Sequence, residues 1–99
     1  MLNDLRQALS ENLDEAVWPW LAPHVQREAV FVVAAELDLL TVGEAIARDQ
    51  VGPVQNWIRA DQLGKPSAGQ IDAWSENPGT RFTTLIVQPF VLVQEKVEA

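Results

Sequence analysis

Arg81-Phe82-Thr83-Thr84-Leu85-Ile86-Val87-Gln88-Pro89-Phe90-Val91-Leu92-Val93-Gln94-Glu95 is the stretch whose reading decides the fold. β-Branched and aromatic residues dominate it, as they do in half-buried or buried strands. Residues 82–87 and 90–93 are strand-like. Pro89 has no N–H to give to a ladder, so a bulge, a bend or an edge position is expected there. The run is far too short to cross a bilayer as a helix. A second β segment lies upstream in Ala29-Val30-Phe31-Val32-Val33-Ala34. The C-terminal run either pairs with it or folds back as two short strands. An interior position makes residues 85–93 core. An edge position would expose backbone groups to a second copy and give a homodimer across that strand.

The remaining segments are helical or turns. Leu2, Leu5, Leu9, Leu13 and Val17 step by three or four, which predicts an amphipathic helix over 2–17 with Asn3 as N-cap. Trp18-Pro19-Trp20 should stop it, and Pro23 adds a second break, leaving a turn or short helical piece through His24. Thr41-Val42-Gly43-Glu44 matches a capping box, with Thr41 as N-cap of a helix to about Arg48. Pro53 suits the first turn of another helix, with Val54, Trp57 and Ile58 on one face and Gly64 as its stop. Ser67 and Gln70 form a second capping box ahead of Ile71 and Trp74, and Asn77-Pro78-Gly79 is a turn. The fold expected is α+β: about four helices on a small, mainly antiparallel sheet built from 29–34 and 82–95, in a single domain over 1–99.

Composition narrows the function classes. The chain has 99 residues, no Cys, and seven Lys and Arg against fourteen Asp and Glu, for a net charge of −7. The absence of Cys excludes disulfides, thiol catalysis and Cys-ligated metal. The acidic field repels phosphate backbones and anionic lipids, so nucleic acid and membrane are not the expected partners. The opening Met1-Leu2-Asn3-Asp4 lacks the basic and apolar regions of a signal peptide, and the expected compartment is the cytoplasm.

Few residues offer chemistry. His24 is the only imidazole, and no serine stands in a Gly-x-Ser-x-Gly elbow. Ser67 is explained as a cap, which leaves Ser10 and Ser75 as weak partners for a triad. Glu36, Asp38, Glu44 and Asp49 form an acidic stretch without the spacing of a known cation loop. A metal or small-ligand site would draw on Glu36, Asp38 and His24. The five glycines form no phosphate-binding loop. Four tryptophans are many for this length. Trp57 and Trp74 fit core positions, whereas Trp18 and Trp20, flanking Pro19, are candidates with His24 for a contact surface.

Residues 41–65 also resemble the helix-turn-helix of excisionase-like and MerR-like DNA-binding proteins. That resemblance implies a recognition helix carrying Gln55, Asn56 and Arg59. The segment has a net charge of zero, since Arg48, Arg59 and Lys65 balance Glu44, Asp49 and Asp61.

Across nearly the whole chain, a series of motifs resembles a small bacterial family of unknown function. It comprises Trp20-Leu21-x-Pro23-His24, Leu37-Asp38-Leu39, Val42-Gly43-x-Ala45-Ile46-Ala47, Trp57-Ile58, Lys65-Pro66-x-Ala68-x-Gln70-Ile71-x-Ala73-Trp74 and Arg81-Phe82. The segment Leu85-Ile86-Val87-Gln88-Pro89-Phe90-Val91-Leu92-Val93-Gln94-Glu95 is its most specific part. The resemblance implies a complete, free-standing bacterial protein and no activity, cofactor or catalytic residue. The function expected is a non-catalytic protein-interaction or regulatory domain. DNA binding through 41–65 and ligand binding through Glu36, Asp38 and His24 are the alternatives.

Overall fold

The computed structural model describes residues 4–96, in which apolar patterning at two periods produces five helices and five strands. They run α1 (Asp4–Glu11), β1 (Asp14–Val17), α2 (Trp18–Gln26), β2 (Val30–Val33), α3 (Leu39–Ala47), α4 (Val51–Arg59), β3 (Leu63–Gly64), α5 (Ala68–Glu76), β4 (Arg81–Val87) and β5 (Phe90–Glu95). The sheet order is β1-β4-β5-β2-β3. Its pairs are antiparallel except β2 with β5, which is parallel with Val30 beside Val91. The fold is therefore α+β with a mainly antiparallel sheet, as expected, and the C-terminal run both folds back on itself and pairs with the upstream strand.

Strand alternation sends side chains to two faces, and each face carries its own helices. Leu85, Val87, Leu92, Val33 and Leu63 pack with Leu9 of α1 and with Leu39 and Val42 of α3. Phe82, Val91, Val93 and Val30 pack on the other side with Trp18 and Leu21 of α2 and Trp74 of α5. Burying side chains such as Leu85, Leu92 and Phe82 stabilises the fold by about 1.5–3 kcal/mol each. Gly43 lets α3 settle closely on β4: a Cβ there would stand 2.5 Å from Cδ2 of Leu85. The trailing Gln94-Glu95 also has structural work. Nε2 of Gln94 donates to the carbonyls of Ala34 and Leu37 at 2.9 and 2.6 Å, which fixes the loop into α3. The carboxylate of Glu95 accepts the indole N–H of Trp74.

Several expectations are corrected. The opening helix ends at Glu11, not near residue 17, and its Leu2 and Asn3 lie outside the described residues. Leu13 and Val17 continue the helical spacing, but β4 offers an open edge, and pairing with it draws 14–17 into a strand. Pro19 begins a helix rather than ending one, because the first turn needs no N–H from it. Helix α3 starts at Leu39, two residues before Thr41, with Asp38 as N-cap, and the Thr41 hydroxyl donates to the Asp38 carboxylate. Gly64 pairs with Val32 in β3 instead of stopping a helix. The capping box of Ser67 and Gln70 is formed as read, with both reciprocal hydrogen bonds. Pro89 sits in the β4–β5 hairpin turn after a cis peptide bond. Within that run, residues 91–93 are interior, with β4 on one side of β5 and β2 on the other, whereas residues 85–87 of β4 pair with β5 alone.

Three helices end alike. Glu28, Asp49 and Asp61 have φ of 59°, 56° and 58°, directly after the C-caps of α2, α3 and α4. In each, the next N–H reaches back to the third-last helical carbonyl: Ala29 to His24, Gln50 to Ala45 and Gln62 to Trp57. This is the Schellman arrangement, which usually has glycine where these acids stand.

Candidate functional site

Unequal strand lengths open the sheet at one corner. β1 pairs only with residues 81–84 of β4, so Leu85, Ile86 and Val87 have a strand neighbour on the β5 side alone. The turn at Asn12 and Leu13 skirts this notch, held by N–H bonds to the carbonyls of Leu9 and Ser10. α2 starts directly after β1. Trp18 turns under the sheet with its ring centroid 5.6 Å from that of Trp74, and this leaves Trp20 outside. The result is an open groove of about 920 Å³ along β1, lined by Leu13, Asp14, Val17, Trp20, Arg81 and Ile86 among others. Leu13, Val17, Trp20 and Ile86 are 37–45% exposed, so the edge of the sheet presents apolar surface.

The charges around the groove are not evenly matched. Glu15 bridges Arg81 at 2.8 Å and Lys96 at 2.9 Å. The hydrogen-bonded ammonium of Lys96 holds the Glu15 carboxyl below its ordinary range; burial opposes this, and the charges of Arg81 and Lys96 reinforce it. The Asp14 carboxylate accepts the N–H of Glu15, at 2.7 Å, and neither it nor Glu11 has a cationic partner among the described residues.

The structure separates the residues singled out from sequence. Trp18 is core, while Trp20 packs against His24 with ring centroids 4.7 Å apart and the rings tilted by 45°, and His24 Nδ1 meets the guanidinium of Arg27. Ser10 donates to a backbone carbonyl and Ser67 caps α5, so neither serves His24. Asp38 and Glu44 are held by Arg6 at 2.6 and 2.7 Å, and Glu36 accepts from Gln62 at 3.4 Å. Arg6 and then Thr41 hold the Asp38 carboxyl below its ordinary range. Asp38 precedes a helix on one face of the sheet and His24 lies in a helix on the other, so Glu36, Asp38 and His24 are not brought together. No metal-ligating group of three or more His, Asp or Glu occurs among the described residues.

α3 and α4 do form a helix-turn-helix pair across residues 48–50, with Gln55, Asn56 and Arg59 exposed on α4. Arg59 is the only cation of that helix, and its other exposed positions include Val51 and Ile58, 61% and 50% exposed. They border a small apolar groove of about 280 Å³ with Phe31, Ile46, Val54 and Phe90. That surface lacks the cations which phosphate contacts require.

Sequence reasoning found Trp20 and missed Leu13, Val17, Arg81 and Ile86. Leu13 and Val17 were absorbed by the helical stripe. Ile86 alternates with Leu85 and Val87, and that alternation was the available signal that it faces the opposite way.

A protein family described as "Protein of unknown function (DUF2288)" matches residues 4–95. No curated protein matches the chain. The solution structure of PA1075 from Pseudomonas aeruginosa is 30% identical, with a TM-score of 0.81, covering 95% of this chain and 86% of that one. No helix among the described residues is long and apolar enough to cross a membrane.

Proposed function

The chain belongs to the DUF2288 family of proteins of unknown function, and from that premise we propose that it is a non-catalytic protein-interaction domain of the cytoplasm that takes up an extended segment of another protein along β1. The carrying observation is a groove that exposes Leu13, Val17, Trp20 and Ile86 beside an edge strand with a neighbour on one side only. An edge strand supplies a row of backbone donors and acceptors, and adjacent pockets then select side chains. The opposite edge suits this less, because β3 has only two residues. A second copy of the chain is disfavoured as occupant, because two molecules each carrying −7 repel one another as they approach.

The test is a selection of short random peptides displayed on phage against the wild-type protein, with counter-selection against Trp20→Ala/Ile86→Lys. Both substituted residues are exposed, so the variant should keep the wild-type circular dichroism. Peptides that survive counter-selection should shift the backbone amides of residues 13–17 and 81–88 in labelled protein. A selection yielding no peptide that distinguishes the two proteins removes this reading.

A further inference from the structure

We infer that the segment taken up along β1 is cationic, an extended stretch in which Lys or Arg shares a face with an apolar residue two positions away. This rests on the strand-uptake reading and adds the chemistry of the partner. Paired positions place Asp14 and Ala16 on the sheet face of Thr84 and Phe82. Ile86 shares that face by alternation, and Trp20 closes the groove beside it. Side chains of an added strand alternate in the same way, so every second residue would meet Asp14, Ala16, Trp20 and Ile86. The groove therefore asks for a positive charge near Asp14 and Glu11 and for apolar contact against Trp20 and Ile86.

The charge argument is specific to these residues. The cations near the groove, Arg81 and Lys96, are already committed to Glu15. Glu11 and Asp14 have no cation among the described residues, which leaves two carboxylates open to a partner. The net charge of −7 adds a field that speeds the approach of a cationic segment and repels an acidic one. The same field opposes nucleic acid and a second copy.

The displayed-peptide selection, run at low salt, reads this directly from the sequences enriched. The expected result is a surplus of Lys and Arg spaced two residues from apolar positions. The enriched peptides, made synthetically, should bind more weakly as salt rises from about 20 mM to about 300 mM. Glu11→Gln/Asp14→Asn should weaken them about three- to tenfold, the effect of two rim charges. Peptides that need Trp20 and Ile86 yet are neutral or acidic, and ignore Glu11→Gln/Asp14→Asn, overturn the inference and leave strand uptake standing. A selection that yields nothing sensitive to Trp20 and Ile86 overturns both. A dimer in sedimentation equilibrium that Ile86→Lys dissolves also overturns the inference, because the occupant is then a second copy.

Discussion

The indole N–H of Trp74 donates to the carboxylate of Glu95 at 3.1 Å, so the one polar atom of a buried ring ties α5 to the last strand. Removing the acceptor leaves that donor to whatever water can reach it. Glu95→Ala should lower stability by about 1 kcal/mol, at the lower end for an orphaned donor because Glu95 itself is exposed. Glu95→Gln keeps an acceptor and should stay within about 0.5 kcal/mol of wild type. Urea unfolding followed by tryptophan fluorescence measures both, and equal losses would show that the bond contributes nothing.

Gly43 lies mid-helix, where alanine would ordinarily stabilise by about 0.5–1 kcal/mol. Here the added methyl meets the fully buried Leu85, so Gly43→Ala should instead destabilise by about 1 kcal/mol, and Gly43→Val by about 2–3 kcal/mol. Pairing Gly43→Ala with Leu85→Val should cost less than the sum of the two single changes. Denaturation of the four proteins of that cycle measures the coupling, and strict additivity would show that Leu85 yields freely.

Glu28, Asp49 and Asp61 occupy left-handed positions and place negative charge at the negative ends of their helices. Each should be improved by glycine, with a gain of about 0.5–1 kcal/mol for Asp49→Gly and for Asp61→Gly. The branched-chain comparison Asp49→Val should destabilise, because a β-branched residue tolerates this conformation poorly. Thermal unfolding of the three variants decides the matter; a loss with glycine would mean that the carboxylates have work this geometry does not require.

Arg6 joins α1 to α3 through its N-cap Asp38 and through Glu44 further along the helix. The folded Asp38 carboxyl titrates below its ordinary value of 3.8, chiefly through the hydrogen bond from Arg6. Its stabilising effect is thus complete above the unfolded value and drains away as pH falls through the lower, folded one. Arg6→Gln should lower the melting temperature at neutral pH and flatten its decline below about pH 4. Parallel slopes for variant and wild type on the acid side would show that this pair does not set acid stability.

Legibility followed how local each signal was. The box at Ser67 and Gln70 was readable because both partners lie within one turn of chain. The β4–β5 hairpin was readable because β-branched residues fill both arms. β1 was hidden because Leu13 and Val17 satisfy the helical period, and only the distant β4, sixty-four residues away at Val17↔Arg81 and seventy at Asp14↔Thr84, reveals them as strand-side residues. Trp18 and Trp20 look equivalent in sequence; two positions apart on a helix, they face different directions, and only Trp20 reaches the groove. Glu15 with Arg81 and Lys96 could not be foreseen, since strand pairing brings them together.

The strand order carries a consequence for synthesis. β4 and the central strand β5 follow the other three strands in sequence, and β1 and β2 wait for them as neighbours. A growing chain therefore leaves the ribosome with its helices and first strands lacking the surface on which they pack, and completes its sheet only when the final hairpin is free. Long-range pairing of this kind slows folding and leaves apolar segments open in the interval. A fragment ending before residue 90 should be cut readily by proteases, and the chain carried through residue 96 should resist them.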